Sequence, residues 1–225
     1  MDYIALWVSL KLAAITSILL LSICIPLGWW LSHTKSVFKI ILDPLFSLPI
    51  ILPPTVLGFY LLLLMNRESF LGKIWFFLTN ERLTFTFSGL VVGSIFYSFP
   101  FVLKPIQSGF ENIDRKLIEV AFTLQCSPIK RLFKVELPLI RNVILIAVLL
   151  GFAHTLSEFG VILMIGGNIP ESTRTISIAI YDAVDRLDYD QAHSLSLFML
   201  LFSYTTILLV SLLSKRSFCG KKREV

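Results

Sequence analysis

The feature that most constrains this chain is a series of long apolar runs with very little charge inside them. A bilayer core of about 30 Å is crossed by about 20 residues of helix. Runs of that kind recur five times, and they predict spans over residues 4–31, 41–65, 86–108, 139–165 and 192–214. Backbone groups inside lipid find no water, so each span must satisfy its own hydrogen bonds as a helix. The expected fold class is an all-α membrane protein of about five transmembrane helices, with residues 1–225 forming a single membrane domain. Composition agrees, because 56% of the residues are apolar and only 16% are charged, an unusual balance for a soluble domain. The first run is expected to stay in the protein as a helix. It opens on Asp2 with no basic segment before it, and its apolar stretch is too long for a signal peptide.

Charge then predicts orientation. Fourteen of the twenty basic residues fall in one set of segments: Lys35 and Lys39; Lys104 through Arg141; and the tail with Lys215, Arg216, Lys221, Lys222 and Arg223. Loops rich in Lys and Arg stay in the cytoplasm, so the N-terminus is expected outside, in the periplasm, and the C-terminus inside. The net charge of +5 is thereby explained by topology, and no nucleic-acid partner is needed. Cys24, Cys126 and Cys219 have neither disulfide nor metal spacing and are expected to be thiols facing lipid or cytosol.

Between the third and fourth spans lies the longest inside loop, 109–138. Ile113, Leu117, Val120, Ala121 and Leu124 recur at helical spacing, with Glu111, Asp114, Arg115, Lys116 and Glu119 around them. Ser127-Pro128 has the form of an N-cap and a first-turn proline, and Leu137-Pro138 is expected to close this second short helix and open the next span. Such an elbow could be a knob offered to a cytosolic partner or an amphipathic linker lying on the membrane.

Within the second span, Pro49, Pro53 and Pro54 remove helix donors just ahead of Thr55 and Gly58. Irregular backbone at membrane depth is tolerated where it lines a cavity or packs against protein. The fourth span carries His154, Ser157, Glu158 and Gly160. Ionisable groups in a span face the bundle or water, and His154 and Glu158, four apart, are expected to satisfy each other on one helix face. Repulsion between like charges makes Glu158 an unsuitable ligand for an anion, so gating or anchoring is its expected role.

These residues carry a resemblance. Glu119-Val120-Ala121, then Gln125, then Val135-Glu136-Leu137-Pro138 resembles the E-A-A…G…I-x-L-P loop of binding-protein-dependent ABC importer permeases, with Val120 and Gln125 standing where alanine and glycine are usual. L-P-x-x-L-P-P-x-V-x-G, S-E-F-G, G-G-N-I-P and T-R-T-x-S-x-A-I-Y together are similar to the molybdate-importer branch, while tungstate and sulfate permeases share parts of the pattern. Ser157 and Glu171 replace two further glycines of that pattern. The resemblance implies a type I permease bundle in the bacterial inner membrane, working as a homodimer. It implies two ABC ATPase subunits docked on Glu119, Val120, Ala121, Gln125, Leu137 and Pro138. It also implies a periplasmic oxyanion-binding protein, and a path or gate at Pro49, Pro53, Pro54, Thr55, Ser157, Glu158 and Gly160. No G-x-x-x-x-G-K-[ST] loop is present, so the chain is expected to be no enzyme and to bind no cofactor, with ATP and Mg held by the partner. A secondary transporter working without ATP would call for more intramembrane charge and paired repeats. A membrane enzyme would call for clustered catalytic groups, whereas His33, His154 and His193 are scattered.

Overall fold

The structure, a computed structural model, describes residues 2–34 and 36–220, with the side chains of Phe38 and of residues 215–220 outside that description. Lys35, Lys221, Lys222 and Arg223 of the expected inside charge, and the Cys219 side chain, therefore lie outside the described residues. The described chain is helical throughout. α1 (Tyr3–His33) is capped by Asp2, whose Oδ1 accepts from Ala5 N at 3.1 Å. α2 (Phe38–Ile51) and α3 (Pro54–Met65) follow, then a short α4 (Phe70–Thr79) and the long α5 (Phe87–Glu111). α6 (Arg115–Thr123) and α7 (Pro128–Arg131) come next, and α7 runs through a π-helical turn at Leu132–Glu136 into α8 (Leu137–Leu139). α9 (Arg141–Ser157), α10 (Gly160–Gly166), α11 (Ile176–Asp185) and α12 (Tyr189–Gly220) complete the order.

By length and composition, α1, α5 and the 189–214 part of α12 can each cross a membrane unaided. Residues 39–51 and α3 qualify only as a pair, bent by 113°, and residues 128–139 qualify with α9 across a 75° bend. The expected second span is thus two helices. Leu52 and Pro53, each preceding a proline, take extended ψ values of 135° and 134°, where a proline ring forbids the α region to its neighbour. The expected fourth span is also divided, at Glu158 and Phe159 between α9 and α10. Leu137-Pro138 lies inside the last helical turn of the loop, and the bend comes later, at Ile140.

α1 and α5 run parallel through the centre. Leu12 packs with Leu90 near one end, and the Gly28 backbone meets Ile106 and Gln107 near the other. Leu20, Cys24 and Leu31 of α1 join Val102, Leu103, Ile106 and Phe110 of α5 and Ala147 of α9 in the largest core cluster. Cys24 is fully buried there, which corrects the expectation that it faces lipid or cytosol. α2 lies along α5 through Lys39–Glu111 at 2.8 Å, Asp43–Lys104 at 3.1 Å and an edge contact of Phe46 on Phe99.

The two ends of the bundle differ. At the Asp2 end, Ser9 Oγ accepts from Ile176 N at 2.7 Å, so the start of α11 is bonded to α1. Arg174 stands 3.5 Å from Asp2 and 3.2 Å from Asp182, whose two oxygens also accept from Asn168 Nδ2 at 3.1 Å. At the opposite end lie α6, α7, the π-helical turn and α8, beside the last turns of α1 and α5. α4 falls where no element is expected. Ser69 Oγ caps it by accepting from Gly72 N, and Asn80 ends it in the left-handed region.

Gly151 of α9 allows that helix to meet α5 closely: a Cβ there would stand 2.4 Å from Cγ2 of Val102, a stiff β-branched side chain. Gly151→Leu is expected to destabilise the purified protein by about 1–3 kcal/mol through overpacking. Gly151→Ala should do so less. Thermal unfolding in detergent, followed by tryptophan fluorescence, reads both.

Candidate translocation gate and coupling surface

The interruption between α2 and α3 and the one between α9 and α10 lie against each other. Pro54 is the first residue of α3 and Gly160 the first of α10. A Cβ on Gly160 would stand 2.7 Å from Pro54 Cβ, and one on Gly58 would stand 2.9 Å from Met164 Cβ. The two short helices therefore touch nearly backbone to backbone, and Leu61 and Met65 extend the contact to Val161 and Ile165. Of the expected path residues, Pro53 sits in the break and its carbonyl accepts from Val56 N at 3.0 Å and Leu57 N at 3.2 Å. Pro54 and Gly160 form the contact, while Pro49 lies within α2, half-buried. Thr55 and Ser157 flank the contact along the chain with exposed side chains, so hydroxyls border it.

Glu158 is buried, and its Oε1 accepts from Val161 N at 2.8 Å. It lies just before Phe159, the N-cap of α10, and from there its carboxylate meets one of the first unpaired N–H groups at the positive end of that helix. The expected His154–Glu158 pair does not form. The helix stops at Ser157, Glu158 turns to ψ 132°, and the i,i+4 relation on one face is lost. His154 instead has Nδ1 at 3.0 Å from Ser98 Oγ and stacks on Phe101, ring centroids 3.8 Å apart. Because the start of α10 is already filled by a carboxylate, Glu158 reads as an anchor of the break.

At the other end, α6 presents rather than buries its apolar residues. Leu117, Val120, Phe122 and Leu124 are all exposed, and of the expected stripe only Ala121 is buried. Glu119 is exposed beside Val120, and a cleft of about 540 Å³ lined by His33, Lys39, Glu111, Glu119 and Phe122 lies next to it. α6 ends in a Schellman turn, with Gln125 N bonded to Phe122 O at 2.9 Å and Cys126 N to Ala121 O at 3.0 Å. The residue between the helix and Cys126 must be left-handed, and Gln125 is, at φ 52°. Glu171, the other glycine replacement in a turn, also has positive φ, at 63°. The bend is thus made at Gln125 itself, and Ser127 then caps α7 through Lys130 N at 3.4 Å. Leu137 is half-buried and Pro138 exposed, so the expected coupling residues occupy one end of the bundle and the path residues the middle.

Sequence reasoning passed over Glu136, which takes part in the motif but was given no role. Its side chain is fully buried; Trp29 Nε1 donates to Oε2 at 2.7 Å and Arg131 Nε to Oε1 at 2.6 Å. The Arg131 guanidinium also lies over the Phe122 ring, 4.8 Å from its centre. The available signal was an acid directly before Leu-Pro, five residues after an arginine; the partner on α1 is 107 residues away and invisible to local pattern.

The left-handed Gln125 gives a direct test. A side chain in that region costs about 1 kcal/mol relative to glycine. Gln125→Gly is expected to raise the unfolding midpoint or leave it unchanged, while Gln125→Val lowers it, measured on the purified protein.

Residues 24–218 match the family described as the inner membrane component of binding-protein-dependent transport systems. The chain is 48% identical to the molybdenum transport system permease protein ModB of Azotobacter vinelandii, across 96% of this chain and 95% of that one. It is 34% identical to the Haemophilus influenzae protein of the same name, with the same coverage of both chains. A probable sulfate transport system permease of Marchantia polymorpha is 30% identical over 82% of this chain and 64% of its own length. With a family match over most of its length and two relatives aligned nearly end to end, this multi-pass chain belongs to the inner-membrane permeases of binding-protein-dependent ABC transport systems.

Proposed function

We propose that this chain is the membrane path of a molybdate importer, working as a homodimer above two ABC ATPase subunits and below a periplasmic binding protein. The observation that carries the substrate is the 48% identity, nearly end to end, with a molybdenum permease, against 30% and partial coverage for a sulfate permease. The excess of Lys and Arg supports placing the α6 end in the cytoplasm and Asp2 in the periplasm.

The geometry supports a division of labour. Exposed Leu117, Val120, Phe122 and Leu124 would lose favourable burial in water, and a cleft in an ATPase subunit would cover them. Glu119, Gln125, Leu137 and Pro138 lie on or beside that surface, and Ala121 packs behind it. ATP and Mg belong to the partner, and this chain binds no cofactor of its own. The Pro54–Gly160 contact supports a gate, because two helices that begin at the break can shift against each other without breaking backbone bonds inside either. Pro49, Pro53, Thr55, Ser157 and Glu158 shape its two sides. No arginine cluster marks a tight oxyanion site among these residues, so strong binding resides in the periplasmic protein and the permease offers a weak passage.

The test is uptake into proteoliposomes holding the chain with its ATPase and binding protein. ATP-dependent molybdate uptake, displaced by tungstate far better than by sulfate, is expected; uptake without ATP, or a preference for sulfate, would overturn the reading. Glu119→Lys is expected to reduce uptake about tenfold or more, the scale of one lost charged contact, together with ATPase association. Normal values for both in that variant would remove α6 as the docking element. Gln125→Cys should react with a membrane-impermeant thiol reagent only in inverted vesicles.

A further inference from the structure

α6 and α7 are joined to α1 through one buried carboxylate. Glu136, at the end of the π-helical turn, has no exposed surface, and it accepts from two donors on different elements. Arg131 Nε, at the end of α7, is 2.6 Å from Oε1, and Trp29 Nε1, in the last turns of α1, is 2.7 Å from Oε2. His33 Nε2 stands 3.7 Å from the same Oε2. Arg131 carries the connection onward, because its guanidinium covers the ring of Phe122 on α6. A displacement of α6 therefore reaches Glu136 through a planar cation wedged between ring and carboxylate, and Glu136 holds α1.

α1 runs as one continuous helix from this point to the far end of the bundle, with Pro26 inside it, where the missing N–H leaves one backbone bond unmade. There Asp2 lies beside Arg174, and Ser9 Oγ accepts from Ile176 N at 2.7 Å, next to the segment that follows α10. A 31-residue helix bonded at both ends is a strut. A shift of its inner end must be accommodated at Arg174–Ile176 or break one of these bonds.

We infer that Glu136 is the positioning residue that links the ATPase-docking elbow to α1, and that α1 carries this movement to the Arg174–Ile176 segment at the opposite mouth. The inference rests on the importer reading, since it assigns the force to an ATPase bound at α6. It adds a second route to the one through α9, which the same elbow joins at Ile140 by covalent connection.

The variants separate linkage from folding. Trp29→Phe keeps an aromatic ring and the Arg131–Glu136 pair but removes the N–H that ties α1. Glu136→Gln keeps an acceptor and the volume but can no longer accept from both donors. In proteoliposomes with the ATPase and binding protein, Trp29→Phe is expected to assemble fully and retain basal ATP hydrolysis. Molybdate uptake and the stimulation of hydrolysis by loaded binding protein should fall about tenfold, the scale of one charge-assisted hydrogen bond. The double variant should lose no more than the worse single one, as two ends of one linkage require. Wild-type uptake and stimulation in Trp29→Phe, or losses that merely track the amount of assembled complex, would overturn the inference. Absence of ATP-dependent uptake in the wild-type complex would instead overturn the importer reading on which it stands.

Discussion

Every interruption of a helix inside a bilayer exposes backbone groups that lipid cannot satisfy, and the arrangement of this chain follows from how it meets that cost. Pro53 and Pro54 bring no N–H to the break, so the start of α3 has fewer donors to satisfy, and the Pro53 carbonyl is used twice by the helix that follows. The break before α10 is closed by the Glu158 carboxylate on Val161 N. Placing the two breaks side by side, with Gly160 against Pro54, lets each shield the other from hydrocarbon. The long helices α1 and α5 supply the frame on which this irregular pair is held.

Much of this was legible in the chain. Apolar runs marked the crossings because lipid leaves helices as the only way to satisfy an isolated span, and the prolines at 49, 53 and 54 marked the irregular one. The elbow was legible from Ser127-Pro128, and its Schellman turn was readable only in part, since Gln125 gives no local sign that it takes up the conformation glycine would favour. Other features depended on long-range contacts. A spacing of four suggested that His154 and Glu158 pair, but the helix ends between them, and the partners are Ser98 and Phe101 for one and the α10 backbone for the other. Cys24 looked lipid-facing because position along an apolar run does not tell which side of a helix meets a neighbour. α4 was missed because its ten residues are too few to span a bilayer.

Burying Glu136 with Arg131 is costly unless both are fully bonded, since removing charges from water outweighs a poor ion pair. Here the carboxylate has two short contacts and the guanidinium has both a carboxylate and a ring. An apolar contact could have held the elbow with less penalty. What the polar arrangement adds is direction: planar groups meet in few orientations, so the elbow and α1 keep a defined angle.

α12 shows the opposite regime. Only 11% of its most apolar window is buried against the rest of the chain, and Leu197, Leu200, Leu201, Tyr204, Ile207 and Leu209 all face outward. Wherever hydrocarbon is the neighbour, it imposes no shape, and leucine there is interchangeable with isoleucine, valine or phenylalanine. Where the outward side of α12 meets lipid it is thus free to drift in sequence so long as it stays apolar, and that freedom makes such positions a natural place to attach a reporter or accept a substitution.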